Sequence, residues 1–475
     1  MTLAKPGERV CVIGAGPAGL ASVKALRDCN IPCVCFERED DVGGNWYFGK
    51  PNSSVYCRTH MISSKRLTEF ADLPMPASYP PFPRHEKALA YLRAYATEFG
   101  LYESIELNSA VERVESAGQT GWKIHIAGET QPRQFDRLII ANGHHWSPKF
   151  PTCEGEFSGE FIHAHDFKDP YVFQGKRVLV VGAGNSGCDI AVEAAQHAAS
   201  ASISVRRGYH FLPKFLRGRP IDSAGVHFQR LRLPLWFRRL VAGYYSRLIL
   251  GPPQQFGLPK PDHKLFETHP IVNSQLLYQL GHGRLQAKPD VVAFDQDEVV
   301  FADDTRESFD MIVCATGYEV RFPFIDKELL NWNEDLPQLH LHSIHPNRDD
   351  VFVVGMIQPN GGLWPLAELQ AKLIARAMQL DHLGLHRTES LRKEAKKISQ
   401  RVNSGIQFAQ SSRHRLEVDY YTFRKDLSQL LAKTMRRTKS DIWKRNGGAR
   451  EPFVRSNDEV DAISADLALR SDPQR

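Results

Sequence analysis

No CxxC pair occurs among the eight cysteines of this 475-residue chain. That removes the usual spacing of a zinc site or an active dithiol. Cys11, Cys33, Cys35 and Cys314 sit inside apolar runs instead, where a thiol behaves as a small hydrophobe. The histidines are scattered without metal-ligand spacing, so no metal is expected. No run of about 18 apolar residues marks a membrane span, and the polar start has no secretory h-region. A reducing, cytoplasmic setting is the expectation. Charge of one sign is lacking too. Lys and Arg total 60 against 55 Asp and Glu, a net charge of +5. That suits anionic small ligands and does not argue for nucleic acid.

What is present is a soluble globular composition, 42% hydrophobic and 24% charged, in a chain too long for one compact core. Two glycine turns stand out. The strand-like run Val10-Cys-Val-Ile13 leads into Gly14-Ala15-Gly16-Pro17-Ala18-Gly19, a helical pattern follows, and then the strand Cys33–Phe36 ends at Glu37-Arg38. Strand, turn, helix and acid within about 30 residues is the context a dinucleotide fingerprint requires. The glycines admit close backbone approach, and the helix N-terminus offers free N–H groups to a pyrophosphate. Asp41-Val-Gly43-Gly44-Asn45-Trp46 follows, a loop suited to packing on a bound cofactor.

The second turn lies in the stretch from Phe157 to Asp189. There Val178-Leu-Val-Val181 runs into Gly182-Ala-Gly184-Asn185-Ser186-Gly187, with Asp189 on the following helix. After the strand Ser202–Val205 this copy ends in Arg206-Arg207, not in an acid. An acid accepts hydrogen bonds from free ribose hydroxyls, whereas an arginine fork suits a 2′-phosphate. The first site is therefore expected to hold FAD and the second NADPH.

Elsewhere, apolar spacing predicts helices over 87–99, 188–196 and 365–380. Strands are predicted over 111–114, 122–126, 135–140, 285–294, 299–301, 309–315 and 351–354. Residues 210–275 form an insertion in which Arg230–Leu240 and Tyr244–Leu250 mix arginines with bulky apolar residues. This segment lies on a membrane surface, roofs a substrate channel, or packs on the main body. The tail past Lys433, with Gly447-Gly448, is basic and then polar, a composition expected to be partly disordered.

Together these residues resemble the class B, single-component flavin-containing monooxygenases, from about residue 8 to 375. The most specific element is Phe157, Gly159 and His163 with Phe167 behind them, set between the two glycine turns. Asp41–Trp46 looks like the family's flavin-contact loop. Ala141–His145 and Cys314–Tyr318, with Thr316 and Gly317, look like its linkers. Phe256-Gly-Leu, His269–Asn273 and Pro365–Gln370 also resemble family segments. The resemblance implies an α/β fold of two Rossmann-like domains, the NADPH domain inserted in the FAD domain. Expected boundaries are 1–170 and 311–430 for FAD, 171–310 for NADPH, and a tail over 431–475.

It implies that NADPH reduces FAD and that O2 then gives a C4a-hydroperoxyflavin. That species oxygenates the amine nitrogen or sulfide sulfur of a small organic substrate. Keto-acid decarboxylating, Baeyer–Villiger-type and uncoupled H2O2-producing chemistry are the alternatives. Phe167-Lys168, where Baeyer–Villiger relatives carry Trp then Pro or Asp, favours heteroatom oxygenation or the decarboxylating branch. One departure concerns catalysis: Ile62, before Ser63-Ser64-Lys65, stands where relatives often carry Asn, and its side chain donates no hydrogen bond. His60 or Ser63 is the candidate substitute. His163 is read as catalytic or, more in keeping with the family, as a structural link between the domains. A homodimer is the expected assembly if the chain oligomerises.

Overall fold

The computed structural model describes residues 9–118, 121–223, 234–268, 270–385, 387–400 and 415–445. Arg230–Leu233, His269 and the tail beyond Arg445, Gly447-Gly448 included, lie outside them. In chain order the main elements are β1 (Val10–Ile13), α1 (Pro17–Asp28), β2 (Cys33–Phe36), α2 (His85–Glu98), β3 (Ile105–Glu106) and β4 (Arg137–Ile140). Next come β5 (Glu160–His163), β6 (Arg177–Val181), α3 (Asn185–His197), β7 (Ser200–Ser204), α4 (Leu235–Leu250), β8 (Gln286–Lys288) and β9 (Met311–Cys314). The last are β10 (Val351–Val353), α5 (Trp364–His382), α6 (Arg387–Ser399) and α7 (Tyr420–Arg445).

Two five-stranded parallel sheets result, ordered β10-β4-β1-β2-β3 and β8-β7-β6-β9-β5. Each is covered on both faces, which explains their continuous apolar strands. Along β1, Val10 and Val12 pack with α1, α2 and α5, while Cys11 and Ile13 pack on a three-stranded antiparallel sheet over residues 111–135. Along β6, Val178 and Val180 pack with α3, and Leu179 and Val181 pack on a second such sheet over residues 291–308. The doubling seen in the glycine turns thus extends to whole three-layer units.

Two expectations are corrected. The predicted strand 135–140 is two strands in different sheets, because the chain turns at Asp136, whose N–H donates to the Arg9 carbonyl at 3.0 Å. The predicted strand 285–294 is broken at Pro289, which has no N–H for a ladder, into β8 and Val291–Asp295. Glu160–His163 and Met311–Cys314 pair with each other, and Met311–Cys314 also pairs with β6, so both belong to the second sheet. The predicted helices appear as α2, α3 and α5, a residue or more longer at most ends.

Candidate active site and cofactor cradles

The two glycine turns have the same geometry. Gly14 (φ +96°) donates to the Phe36 carbonyl at 2.8 Å, and Gly182 (φ +105°) to that of Ser204 at 3.0 Å. A Cβ on Gly19 would lie 1.8 Å from the Gly14 carbonyl oxygen, and one on Gly187 1.9 Å from that of Gly182. These glycines are demanded by strand–helix packing alone. Gly16 differs: a Cβ there would meet Gly44 Cα at an ordinary 3.5 Å, so the fold itself tolerates a side chain. Helices α1 and α3 start at Gly16 and Gly184 with no side-chain cap and no acid in the first turn. Their N-terminal N–H groups and positive dipole ends suit a pyrophosphate.

At the first cradle Glu37 is buried and accepts from Ala15 N at 2.6 Å and from Glu39 N at 3.0 Å. Burial pushes its pKa up, and the two N–H bonds pull the other way. Arg38 lies 3.6 Å from Glu39. The loop Gly43–Trp46 backs onto the turn through Gly43 N and the Ala15 carbonyl at 3.1 Å. Asn45 Oδ1 accepts from Ser54 N at 2.7 Å and Ser54 Oγ at 2.8 Å, and Trp46 sets its edge on Trp364, 5.9 Å away, at the start of α5. Glycine pair Gly361-Gly362 closes on the same region; a Cβ on Gly362 would lie 1.8 Å from the Leu67 carbonyl oxygen.

At the second cradle Arg206 is exposed just beyond β7, and Arg207 lies over the Tyr209 ring at 5.6 Å. Two expected cofactor residues have other partners: Asn185 Oδ1 accepts from Val272 N at 3.2 Å, and Asp189 accepts from Asn273 Nδ2 at 2.6 Å. Ser186 stands exposed beside them in the first turn of α3.

The stretch from Phe157 to Phe167 is a packing junction. Phe157 meets Phe294, with ring centroids 6.0 Å apart. Gly159 lets the chain pass Asp310, whose carbonyl oxygen would be 2.7 Å from a Cβ. Phe167 lies between Phe173 at 4.9 Å and Tyr56 at 5.1 Å. His163 is fully buried between Phe150 and Tyr318, its Nδ1 accepts from His165 N at 3.0 Å, and burial lowers its pKa to about 4. The neutral, held ring fits a structural link. The two linkers pair as an antiparallel ribbon, Ser147–Pro148 against Tyr318–Glu319. Thr316 Oγ1 donates to the Lys149 carbonyl, and Lys149 N donates to that of Gly317 at 3.0 Å.

Sequence reasoning did not foresee the seam between the units. Ile62 is 38% exposed and Ser63 half-buried on the segment after the bridge His60–Arg84. His60 Nε2 meets Lys214 Nζ from the insertion. Burial and then Lys214 hold His60 below its ordinary pKa, while burial raises that of Asp189 against the pull of His60 and Lys214. Asp222, also from the insertion, accepts from Ser64 N at 2.6 Å, and Arg58 pairs with Glu193 of α3 at 3.0 Å. Contacts across some 150 residues leave no local sequence signal. Among the described residues no His, Cys, Asp and Glu cluster is arranged to hold a metal, and no helix is long and apolar enough to cross a membrane.

A family model described as flavin-binding monooxygenase-like matches residues 7–438. The chain is 31% identical over 448 residues to "Flavin-containing monooxygenase 5" of Oryctolagus cuniculus, covering 90% of this chain and 83% of that one. It is 32% identical over 449 residues to "Dimethylaniline monooxygenase [N-oxide-forming] 2" of Macaca mulatta, covering 89% and 82%. Among solved structures, S-allyl-L-cysteine S-oxygenase from Allium sativum superposes with a TM-score of 0.62 at 20% identity, covering 97% of this chain and 98% of that one. Cyclohexanone monooxygenase superposes with a TM-score of 0.66 at 17% identity, covering 90% and 98%. At those identities the two structures speak to the fold.

Proposed function

The chain belongs to the flavin-binding monooxygenase-like family, and from that membership we propose that it oxygenates the amine nitrogen or sulfide sulfur of a small organic molecule. It is a FAD-dependent monooxygenase that uses FAD and NADPH. One observation carries the assignment of the cradles: two matching turns with uncapped helix N-termini, followed by buried Glu37 in one copy and by Arg206-Arg207 in the other. The α1 turn with Glu37 would take the FAD pyrophosphate and ribose, and the α3 turn with the arginines the NADPH pyrophosphate and 2′-phosphate.

FAD and NADPH held in these cradles would supply the reducing power and the activation of oxygen. The chain's own part is placement and shelter. Gly43–Trp46 and Gly361–Trp364 wall the flavin side with backbone and two tryptophans, which limits water. The linker ribbon, Ser147–Pro148 against Tyr318–Glu319, carries the chain between the two units. The soft-nucleophile preference rests on the N-oxide-forming relative and on Phe167-Lys168 in the junction.

NADPH oxidation under 18O2 with a panel of tertiary amines, sulfides and cyclic ketones tests this reading. The expected result is one 18O atom in an N-oxide or S-oxide. Lactone as the main product overturns it. A second reading, release of H2O2 without oxygen transfer, is favoured by Ile62; full recovery of consumed O2 as H2O2 under every condition would establish it.

A further inference from the structure

Residues 214–222 of the insertion are fastened on both flanks of Ile62. Lys214 Nζ meets His60 Nε2 on one flank, and Asp222 accepts from Ser64 N on the other. Between these anchors the chain makes a hairpin, Phe215–Leu216 against Arg219–Pro220. Its base packs on the segment that runs beside Ile62. Met61 N and Lys65 N donate to the Pro83 and Pro81 carbonyls, both at 2.8 Å, and the Phe82 ring between them meets Phe215 at a right angle, centroids 5.4 Å apart. Phe215 is still 46% exposed. The hairpin therefore stands at the approach to Ile62 with an aromatic pair at its base.

The turn of this hairpin is built on an unfavoured residue. Arg217 (φ +50°) and Gly218 (φ +76°) are both left-handed, the pattern of a two-residue turn that ordinarily takes Asn-Gly or Asp-Gly. Arg217 adopts it at a conformational cost that asparagine or glycine would avoid. Such outliers collect where a side chain serves a ligand. Arg219 follows directly after the turn. Both arginines are exposed, and neither has a carboxylate partner among the described residues.

The charges here discriminate between substrates. Lys214 Nζ lies over the Phe82 ring at 5.2 Å, so the attraction of that aromatic face for a cation is already met from within the protein. The carboxylates that share these contacts are engaged: Asp222 with Ser64 N, and Asp189 with Asn273 Nδ2. A protonated amine arriving at Phe82 and Phe215 would meet like charge. A carboxylate would meet two guanidinium forks that suit its two oxygens.

We propose that this hairpin selects the substrate, and that the enzyme takes sulfides carrying a carboxylate, with the apolar arm on Phe82 and Phe215 and the carboxylate on Arg217 and Arg219. This rests on the oxygenation proposed above and narrows it to anionic sulfides over cationic amines. Binding and turnover are read separately. Calorimetry of the full-length holoenzyme with 4-methylphenylacetate and with its amide, neither of which carries sulfur, measures selection without reaction. The acid should bind about tenfold tighter than the amide, and rising salt should shrink the difference. In Arg217→Gln/Arg219→Gln the acid-to-amide ratio should fall to about one, while Arg217→Lys/Arg219→Lys keeps most of it. FAD content checks that each variant is folded. Equal binding of acid and amide by the wild type, or no binding of the acid, overturns the proposal. So does a ratio that the Gln variant leaves intact; a raised KM for NADPH in that case would give the arginines to the nucleotide. Turnover of 4-(methylthio)phenylacetate, its amide and 4-(methylthio)phenethylamine under 18O2 then reads the chemistry, one oxygen atom going to sulfur and the other to water with the two electrons of NADPH. The kcat/KM values should rank acid, amide, amine, and the reverse order overturns the proposal. Selective binding of the acid with no sulfoxide from any of the three would count against the reaction above and not against the hairpin.

Discussion

Gly16 and Gly19 look alike in the sequence but do different work. Gly19→Ala places a methyl 1.8 Å from the Gly14 carbonyl oxygen, so loss of soluble, folded protein is expected. Gly16→Ala meets only Gly44 Cα at 3.5 Å and should fold. Its methyl points at the proposed pyrophosphate, so the purified variant should be colourless; a yellow, FAD-loaded Gly16→Ala protein contradicts the assignment. Ile62 is the other residue that separates fold from chemistry. Its partial exposure lets Ile62→Asn fold, and a donor acting on the transition state is worth about 2–4 kcal/mol. The expected outcome is a fall of about tenfold or more in H2O2 released per NADPH consumed. An unchanged yield would show that His60 or Ser63 already provides the donor. Both glycine turns were legible at this scale because their constraint is local: a positive φ and one close carbonyl contact at each.

Between elements, α1 and α5 are joined by charge as well as by packing. Lys24 of α1 lies 2.8 Å from Asp72, and Lys372 of α5 lies 3.1 Å from Asp72 and 2.9 Å from Glu368. Burial opposes ionisation of Asp72, but Lys372 and Lys24 outweigh it and hold its pKa at about 2. With a folded pKa below the unfolded value of about 3.9, this stabilisation is present at neutral pH and lost as pH falls from about 4 to about 2. Asp72→Asn should therefore cost on the order of 1–2 kcal/mol at pH 7, a figure reduced for partial solvent exposure, and almost nothing near pH 2. Urea unfolding at several pH values measures it. At the end of β7, Arg206→Ala with Arg207→Ala should raise KM for NADPH roughly 10- to 100-fold, as expected for about 1.5–3 kcal/mol of charged hydrogen bonding. KM for NADH should change little; equal effects on both cofactors contradict a 2′-phosphate role. The regular elements were legible wherever apolar periodicity ran unbroken. The strands expected over 135–140 and 285–294 were each read as one because apolar residues continue past Asp136 and Pro289. What divides them is a change of partner sheet, to which periodicity is blind.

For the whole molecule, the decisive feature is the seam where the second unit and the insertion meet the segment around Ile62. Lys214→Met removes the cation that helps keep His60 neutral and pulls on half-buried Asp189. Uncompensated buried charge is costly, so a loss of about 2–3 kcal/mol in unfolding free energy is expected. The His60 titration, followed by NMR, should move up in pH; no movement would show that the contact has no electrostatic effect. The sequence by itself determined the two nucleotide folds, the asymmetry between acid and arginines, and the order of the parts. Each of these is written in residues within about 30 positions of one another, where chain connectivity already enforces proximity. Only the tertiary structure decided that Glu160–His163 and Met311–Cys314 join the second sheet, that the stretch from Phe157 to Phe167 is a packed junction, that Lys214 and Asp222 reach the Ile62 segment, and that α4 keeps an apolar side in solvent. Those facts depend on strand pairing and burial between segments far apart in the chain, and no local pattern encodes which distant surface a side chain will meet.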